Sequence, residues 1–291
     1  MKNFINYYYG LIVEKYRKKE DNFVLTIKNE EYIFKPLVYN ENDVYNVYLI
    51  AKKYKKACHE IILNLYDSVF SIYEGAKYIL IKLKLVNEPD LSVYSIVSYS
   101  FLPNAFSKTD WSTLWKNKID YYECQMNQFG YKYNIIKSSI GYYIGMSECA
   151  ISLLNYVDSE KISVGVCHRR ISSINSFMDF WDPTNLLLDN VARDIAEYLK
   201  DSYINNIITI NDAIAQLKKI QMSKREAILL FSRMLYPSYY FDLYDKILMG
   251  EISEDKIVSV VKKNTSYEAF IRQVYLYLKN NYEIPNVGWL N

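Results

Sequence analysis

The chain has 291 residues, 51% hydrophobic and 23% charged, enough to bury a core in one large domain or two modest ones. A net charge of +2 with acids and bases interspersed excludes the basic footprint of a nucleic-acid binder. No run approaches the ~18 apolar residues of a membrane span.

Met1 to Val13 lacks a small-residue cleavage site and does not read as a signal peptide. The cysteines (Cys58, Cys124, Cys149, Cys167) show no paired spacing, so neither a zinc knuckle nor a disulfide framework is expected. A reducing cytoplasm fits them. The 31 tyrosines, with many Lys, Asn and Ile, follow the bias of AT-rich coding, so most need no functional reading, with surface assembly through Tyr as the alternative. Two basic runs, Lys15 to Lys19 and Lys52 to Lys56, read as solvated turns or helix faces.

Phe23 to Ile27 is a strand-like run, Asn29-Glu30-Glu31 a polar turn, and Tyr32 to Lys35 a second strand. Pro36 ends that strand because it has no amide hydrogen to donate. From Glu41 to Tyr54 the apolar residues Val44, Val47, Tyr48 and Ala51 fall on one helical face. Ile61 to Phe70 and Tyr78 to Leu85 read as strands, the second with Lys82 and Lys84 alternating with apolar neighbours. Beyond Asn87-Glu88-Pro89-Asp90 the pattern turns helical. Asp110 is placed to cap a helix carrying the stripe Trp111, Trp115, Ile119 and Tyr122. A second helix is expected over Tyr142 to Tyr156, then a short strand over Ile162 to Cys167. Helices follow from Arg193 to about Tyr282, and Ser223 and Glu226 have capping-box spacing.

The segment with chemical content is Cys167-His168-Arg169-Arg170-Ile171-Ser172-Ser173-Ile174-Asn175, followed by Leu186-Leu187-Leu188-Asp189. His168 and Asn175 keep the spacing of the catalytic loop His-x-Asp-x-x-x-x-Asn, and an apolar triplet precedes Asp189. Ala192-Arg193-Asp194-Ile195-Ala196-Glu197 comes next. These motifs resemble the protein-kinase and aminoglycoside-phosphotransferase folds, and more closely the bacterial spore-coat proteins of the CotS and YutH type. The Trp111 to Asp120 and Gly145 to Ile151 segments also resemble that group.

The resemblance implies an α+β, two-lobed kinase-like fold. A small antiparallel-sheet lobe with one helix would span residues 1–86, and a mainly helical lobe residues 87–291. It implies ATP and Mg²⁺ as cofactors, spore-coat proteins as partners, and the coat of the developing spore as the location. Lys35 sits where a kinase lysine reaches the phosphates, with Glu41 or Glu60 as its partner; it also reads as an ordinary strand-end lysine. Lys35, His168 and Arg170 are the cofactor-binding candidates, and Asn175 and Asp189 the metal ligands. An alternative register makes Asp179 the metal-binding acid.

Two departures stand out. Arg170 occupies the position of the catalytic aspartate, and a guanidinium cannot accept a proton. It is suited instead to a phosphate, a carboxylate, or pairing with Asp179, Asp182 or Asp189. Lys15 to Ile27 contains no glycine, so no glycine-rich phosphate loop is present there. The expected function is therefore a catalytically degenerate kinase-like protein that binds a nucleotide or another anionic small molecule. An active small-molecule phosphotransferase, with an acid such as Asp182 replacing the base, and an unrelated helical interaction protein are the alternatives.

Overall fold

The structure is a computed structural model that describes residues 1–55, 58–84, 101–106, 110–129, 132–157, 163–171 and 180–291, with the backbone alone at 101–106 and 163. Asn175, Asp179 and the expected boundary at 87–90 lie outside the described residues. The chain divides into two compact units. One comprises Met1–Asp90, Gly165–Arg170 and Ile174–Leu188; the other comprises Leu91–Val164, Ile171–Ser173 and Asp189–Asn291.

The first unit opens with helix α1 (Lys2–Tyr9), closed by Gly10 in the left-handed conformation that glycine adopts without strain. Six strands follow: β1 (Lys15–Lys19), β2 (Asn22–Ile27), β3 (Glu30–Pro36), β4 (Glu60–Ile62), β5 (Ser71–Tyr73) and β6 (Ala76–Lys82). They form an antiparallel sheet of order β1-β2-β3-β6-β4, with β5 also on β6. Strand alternation gives the sheet two apolar faces. Phe23, Leu25, Ile27, Tyr32, Phe34, Tyr78 and Leu80 pack with Ile5, Tyr9 and Val13 from the N-terminal segment. Ile79 and Ile81 face the other way, toward Val44, Val47, Tyr48 and Ala51 of α2 (Glu41–Lys53). Asn40 caps α2 by accepting the amides of Asn42 and Asp43, a contribution of about 1 kcal/mol.

The expected turn at Asn29-Glu30-Glu31 is tighter than the sequence suggests. Lys28 and Asn29 take positive φ and Glu30 already belongs to β3. The run Lys15 to Lys19 is a strand, not a turn or helix face. All five residues are exposed on the sheet's edge, where lysines discourage pairing with another chain. β8 (Ser163–His168) and β9 (Leu186–Asp189) bring Val166 and Leu186 into the α2-side core.

The second unit holds β7 (Phe101–Phe106) and the helices α3 (Trp111–Phe129), α4 (Asn134–Leu154), α5 (Ala192–Ile204), α6 (Ile210–Leu217), α7 (Lys224–Leu235), α8 (Ser238–Leu248), α9 (Asp255–Val261) and α10 (Asn264–Tyr282). Every residue of α7 from Ala227 to Leu235 is buried, as befits a central helix. Stacked rings join its neighbours: Trp115 on Tyr236 at 4.3 Å, Tyr122 on Phe241 at 4.4 Å and Tyr143 on Tyr240 at 3.6 Å. The expected stripe Trp111, Trp115, Ile119 and Tyr122 is the buried face of α3, capped by Asp110 through the amide of Thr113. The Ser223–Glu226 capping box is formed. No described helix is long and apolar enough to cross a membrane.

Candidate functional site

Lys35 lies near the end of β3, paired with Ile79 of β6, and its side chain leaves the sheet on the face shared with Ile33. Its ammonium donates to Asp182 Oδ2 at 2.5 Å. The expected acids do not partner it: Glu41 instead accepts Lys77 at 2.9 Å through both oxygens. Asp182 is buried and caps a short 3-10 turn, Pro183–Asn185. Its Oδ1 accepts the amide of Thr184 at 2.8 Å and the hydroxyl at 2.7 Å. Asp-Pro-Thr is a turn-capping signature, the one local signal that marks Asp182 in the sequence. Its partner is 147 residues away, beyond the reach of any spacing argument.

The segment that carries Asp182 is held from two sides. The His59 amide donates to the Trp181 carbonyl at 2.8 Å. His168 is buried, stacks on Phe180 at 4.5 Å, and its Nε2 lies 3.2 Å from the Phe180 carbonyl. His168 thus supports the site's wall. Burial pushes the His59 imidazolium down, against the pull of Asp182.

Arg170 is held by its backbone. Its amide donates to Asn185 Oδ1 at 3.1 Å, and Asn185 Nδ2 donates to its carbonyl at 2.9 Å. Next to it, Arg169 places its guanidinium 4.1 Å from the Tyr39 ring centroid. Lys35, Tyr39, Arg170, Asp182, Thr184 and Asn185 line a cavity of about 330 Å³. A second cavity, of about 210 Å³, has Val24, Ile33, Ile81 and Leu83 on its walls and shares Lys35 and Asp182 with the first. The described residues that line them belong to the sheet-bearing unit. Lys35 and Arg170, anticipated together, therefore do meet in one cavity, and the acid beside them is Asp182.

Asp189 has other partners. It is buried, its Oδ2 accepts Trp111 Nε1 at 3.1 Å and Arg193 Nη1 at 3.0 Å, and its Oδ1 accepts the Asn190 amide at 2.8 Å. A magnesium ion takes oxygen ligands in near-octahedral order, usually one or two carboxylates plus phosphate and water. At Asp189 it would have to displace an indole, a guanidinium and an amide. At Asp182 one oxygen is committed to an ammonium and the other to Thr184. Among the described residues no group of three or more His, Cys, Asp and Glu could hold a metal ion. The described donors do not fit a resident magnesium.

The fold defines the class. It matches an aminoglycoside phosphotransferase from Alicyclobacillus acidocaldarius with a TM-score of 0.68 at 10% identity, over 94% of each chain. It also matches the choline kinase LicA of Streptococcus pneumoniae, with a TM-score of 0.56 at 13% identity, over 95% of this chain and 98% of that one. A spectinomycin phosphotransferase solved with ADP and spectinomycin gives 0.56 at 12% identity, over 95% and 97%. The chain is an α+β protein of the aminoglycoside-phosphotransferase and choline-kinase fold.

Within that fold it belongs to the spore-coat family described as "Spore coat putative kinase YutH", whose model matches residues 2–274. The endospore coat-associated protein YutH of Bacillus subtilis (strain 168) is 24% identical over 216 residues, 62% of this chain. The chain spans 61% of the length of that relative.

Proposed function

We propose that this protein is a catalytically degenerate member of its fold that acts at the spore coat by binding, with a nucleotide as the ligand, rather than by phosphotransfer. The carrying observation is Arg170, which lines the cavity of Lys35 and Asp182 and occupies the position where the family pattern calls for a proton acceptor. General-base assistance contributes about a hundred- to ten-thousandfold, and a guanidinium supplies none of it. The β1–β2 hairpin agrees with this. Its turn is Glu20-Asp21 between the paired Lys19 and Asn22, so it presents carboxylates where a phosphate-covering loop would present bare amides.

The smaller cavity supports the nucleotide: aliphatic side chains of three neighbouring strands offer a flat apolar wall for a base. Lys35, in the lining of both cavities, supports this reading as the cation for phosphate. Thermal unfolding of the full chain with and without ATP tests the binding, alongside a measurement of ATP consumption. The expected result is a raised midpoint with no turnover; turnover at the rate of an active kinase would overturn the reading. Extraction of the protein with the coat fraction of host spores tests the location.

A second reading, an ATP- and Mg²⁺-dependent small-molecule phosphotransferase, has one observation in its favour: Asp182 lines the same cavity as Arg170. It requires ATP consumption that Asp182→Asn abolishes while binding survives.

A further inference from the structure

The sheet of the first unit ends at β1. We infer that the outer edge of β1 takes up an acidic, extended segment of a partner polypeptide as an added strand, independently of any nucleotide.

Three observations carry this. First, among the described residues β1 pairs only with β2, and all five of its residues are exposed. In an antiparallel pair alternate residues turn their N–H and C=O groups away from the partner. The outer edge of β1 therefore presents donors and acceptors at the spacing of another backbone. Second, four of the five residues are cations: Lys15, Arg17, Lys18 and Lys19. None of them forms an ion pair with a described residue. Third, the register divides them by face. Lys18 pairs with Phe23 and holds its ammonium 5.7 Å from that ring. Lys15, Arg17 and Lys19, paired with Thr26, Val24 and Asn22, share the other face.

Charge selects the occupant. A second copy pairing antiparallel about the centre of β1 would set Arg17 against Arg17 and Lys15 against Lys19, and like charges directly opposite oppose pairing. The cations that turn away this chain's own edge favour a strand with carboxylates at alternate positions, which meets Lys15, Arg17 and Lys19 on one face. Glu14 precedes β1, and Glu20 and Asp21 follow it, so the acidic stretch that fits is bounded at both ends. A polyanion without a peptide backbone, such as a nucleic acid, answers the charge but leaves the edge amides and carbonyls to water.

The experiment titrates the full chain into a fluorescein-labelled peptide, Thr-Glu-Val-Glu-Val-Glu-Thr, read by anisotropy at low salt. Two further peptides carry N-methyl groups on one or the other alternate set of amides. The expected outcome is saturable binding that weakens about fivefold or more in Arg17→Glu, a variant whose urea midpoint stays that of the native chain. One methylated set should abolish binding and the other spare it, because only one edge of the added strand faces β1. Equal effects of the two methylated sets would mark a basic patch open to any polyanion. Dimerisation of the chain alone, seen by sedimentation and abolished by Arg17→Glu, would make a second copy the occupant. Either result, or no binding, or binding that Arg17→Glu leaves unchanged, overturns the inference and leaves the nucleotide reading standing.

Discussion

Asp182 and Asp189 are seven positions apart (189 − 182) and their surroundings set them to different tasks. Asp189 is enclosed, with Trp111 and Arg193 on one oxygen, and its side chain is 3% exposed. Replacing it by Ala leaves a guanidinium and an indole without their acceptor. The expected loss is about 2–3 kcal/mol, at the low end for breaking a buried pair because Arg193 keeps some water contact. Asp182 pairs with a lysine whose side chain is 25% exposed and can rehydrate. Asp182→Asn, which keeps the cap on Thr184, should cost about 1 kcal/mol or less in stability. Urea midpoints of the two variants check the order; equal losses would contradict it. The sequence makes Asp189 attractive because an apolar triplet delivers it, and that part is right, since β9 ends there. What the sequence withholds is which donors wait at the end of the strand. Two of them, Asn190 and Arg193, follow within four residues, but Trp111 comes from a helix 78 positions away, a separation as unreadable as that between Lys35 and Asp182.

Elements were legible in proportion to how strongly they are patterned. The stripe of α3 repeats at helical spacing with four large apolar residues, and all four are buried. Helix α1 has only eight residues, four of them aromatic, and too few turns for a period to show; it nonetheless covers one face of the sheet. Ile5 is fully buried there, so Ile5→Ala should lower stability by about 2–4 kcal/mol through lost burial and the cavity left behind, read from the urea midpoint. Strand β1 has no alternation to read, because both its faces are exposed. Helix α5 carries a different signal, in charge. Glu197 accepts Arg233 Nε at 2.9 Å and sits 3.2 Å from Lys200 Nζ. Burial alone would raise its carboxyl, but the charges of Lys200, Arg233 and Arg193 outweigh that and hold it at about 2. Burial pushes Lys200 and Arg233 down in turn, and Lys200 also donates to Ser238 and to two carbonyls. A depressed carboxyl stabilises the fold above its ordinary value of 4.5 and loses that contribution as pH falls toward about 2. The whole contribution is about 3 kcal/mol. Stability followed from pH 7 downward should fall steeply below about 4.5 in the native protein. In Glu197→Gln the same limb should be flatter, on a fold already weaker at pH 7.

At the scale of the whole molecule, the sheet-and-helix plan was legible because periodicity changes along the chain, from alternation to helical spacing. Residues 165–170 and 180–188 were harder to place. Read in order, they follow helices, yet they pack as part of the sheet-bearing unit, contributing Val166 and Leu186 to the core under α2. That return of the chain is what brings Arg170, Asp182 and Asn185 to Lys35. It also fixes where a ligand's effect must appear. The described residues that line both cavities belong to the first unit, so a bound nucleotide should suppress local opening there. Amide exchange with and without ATP should show added protection in β2, β3, β6 and residues 180–185. Amides of α6 and α10, in the other unit, should change little. Ligand that binds only the folded state raises global stability by mass action, about 2.7 kcal/mol at a hundred times its dissociation constant. Amides that exchange only through global unfolding will therefore slow in both units, and the diagnostic ones are those that exchange by local opening. Added protection of such amides in α6 and α10, with none in β2 and β3, would place the ligand outside both cavities and refute the assignment of Lys35 to its phosphates.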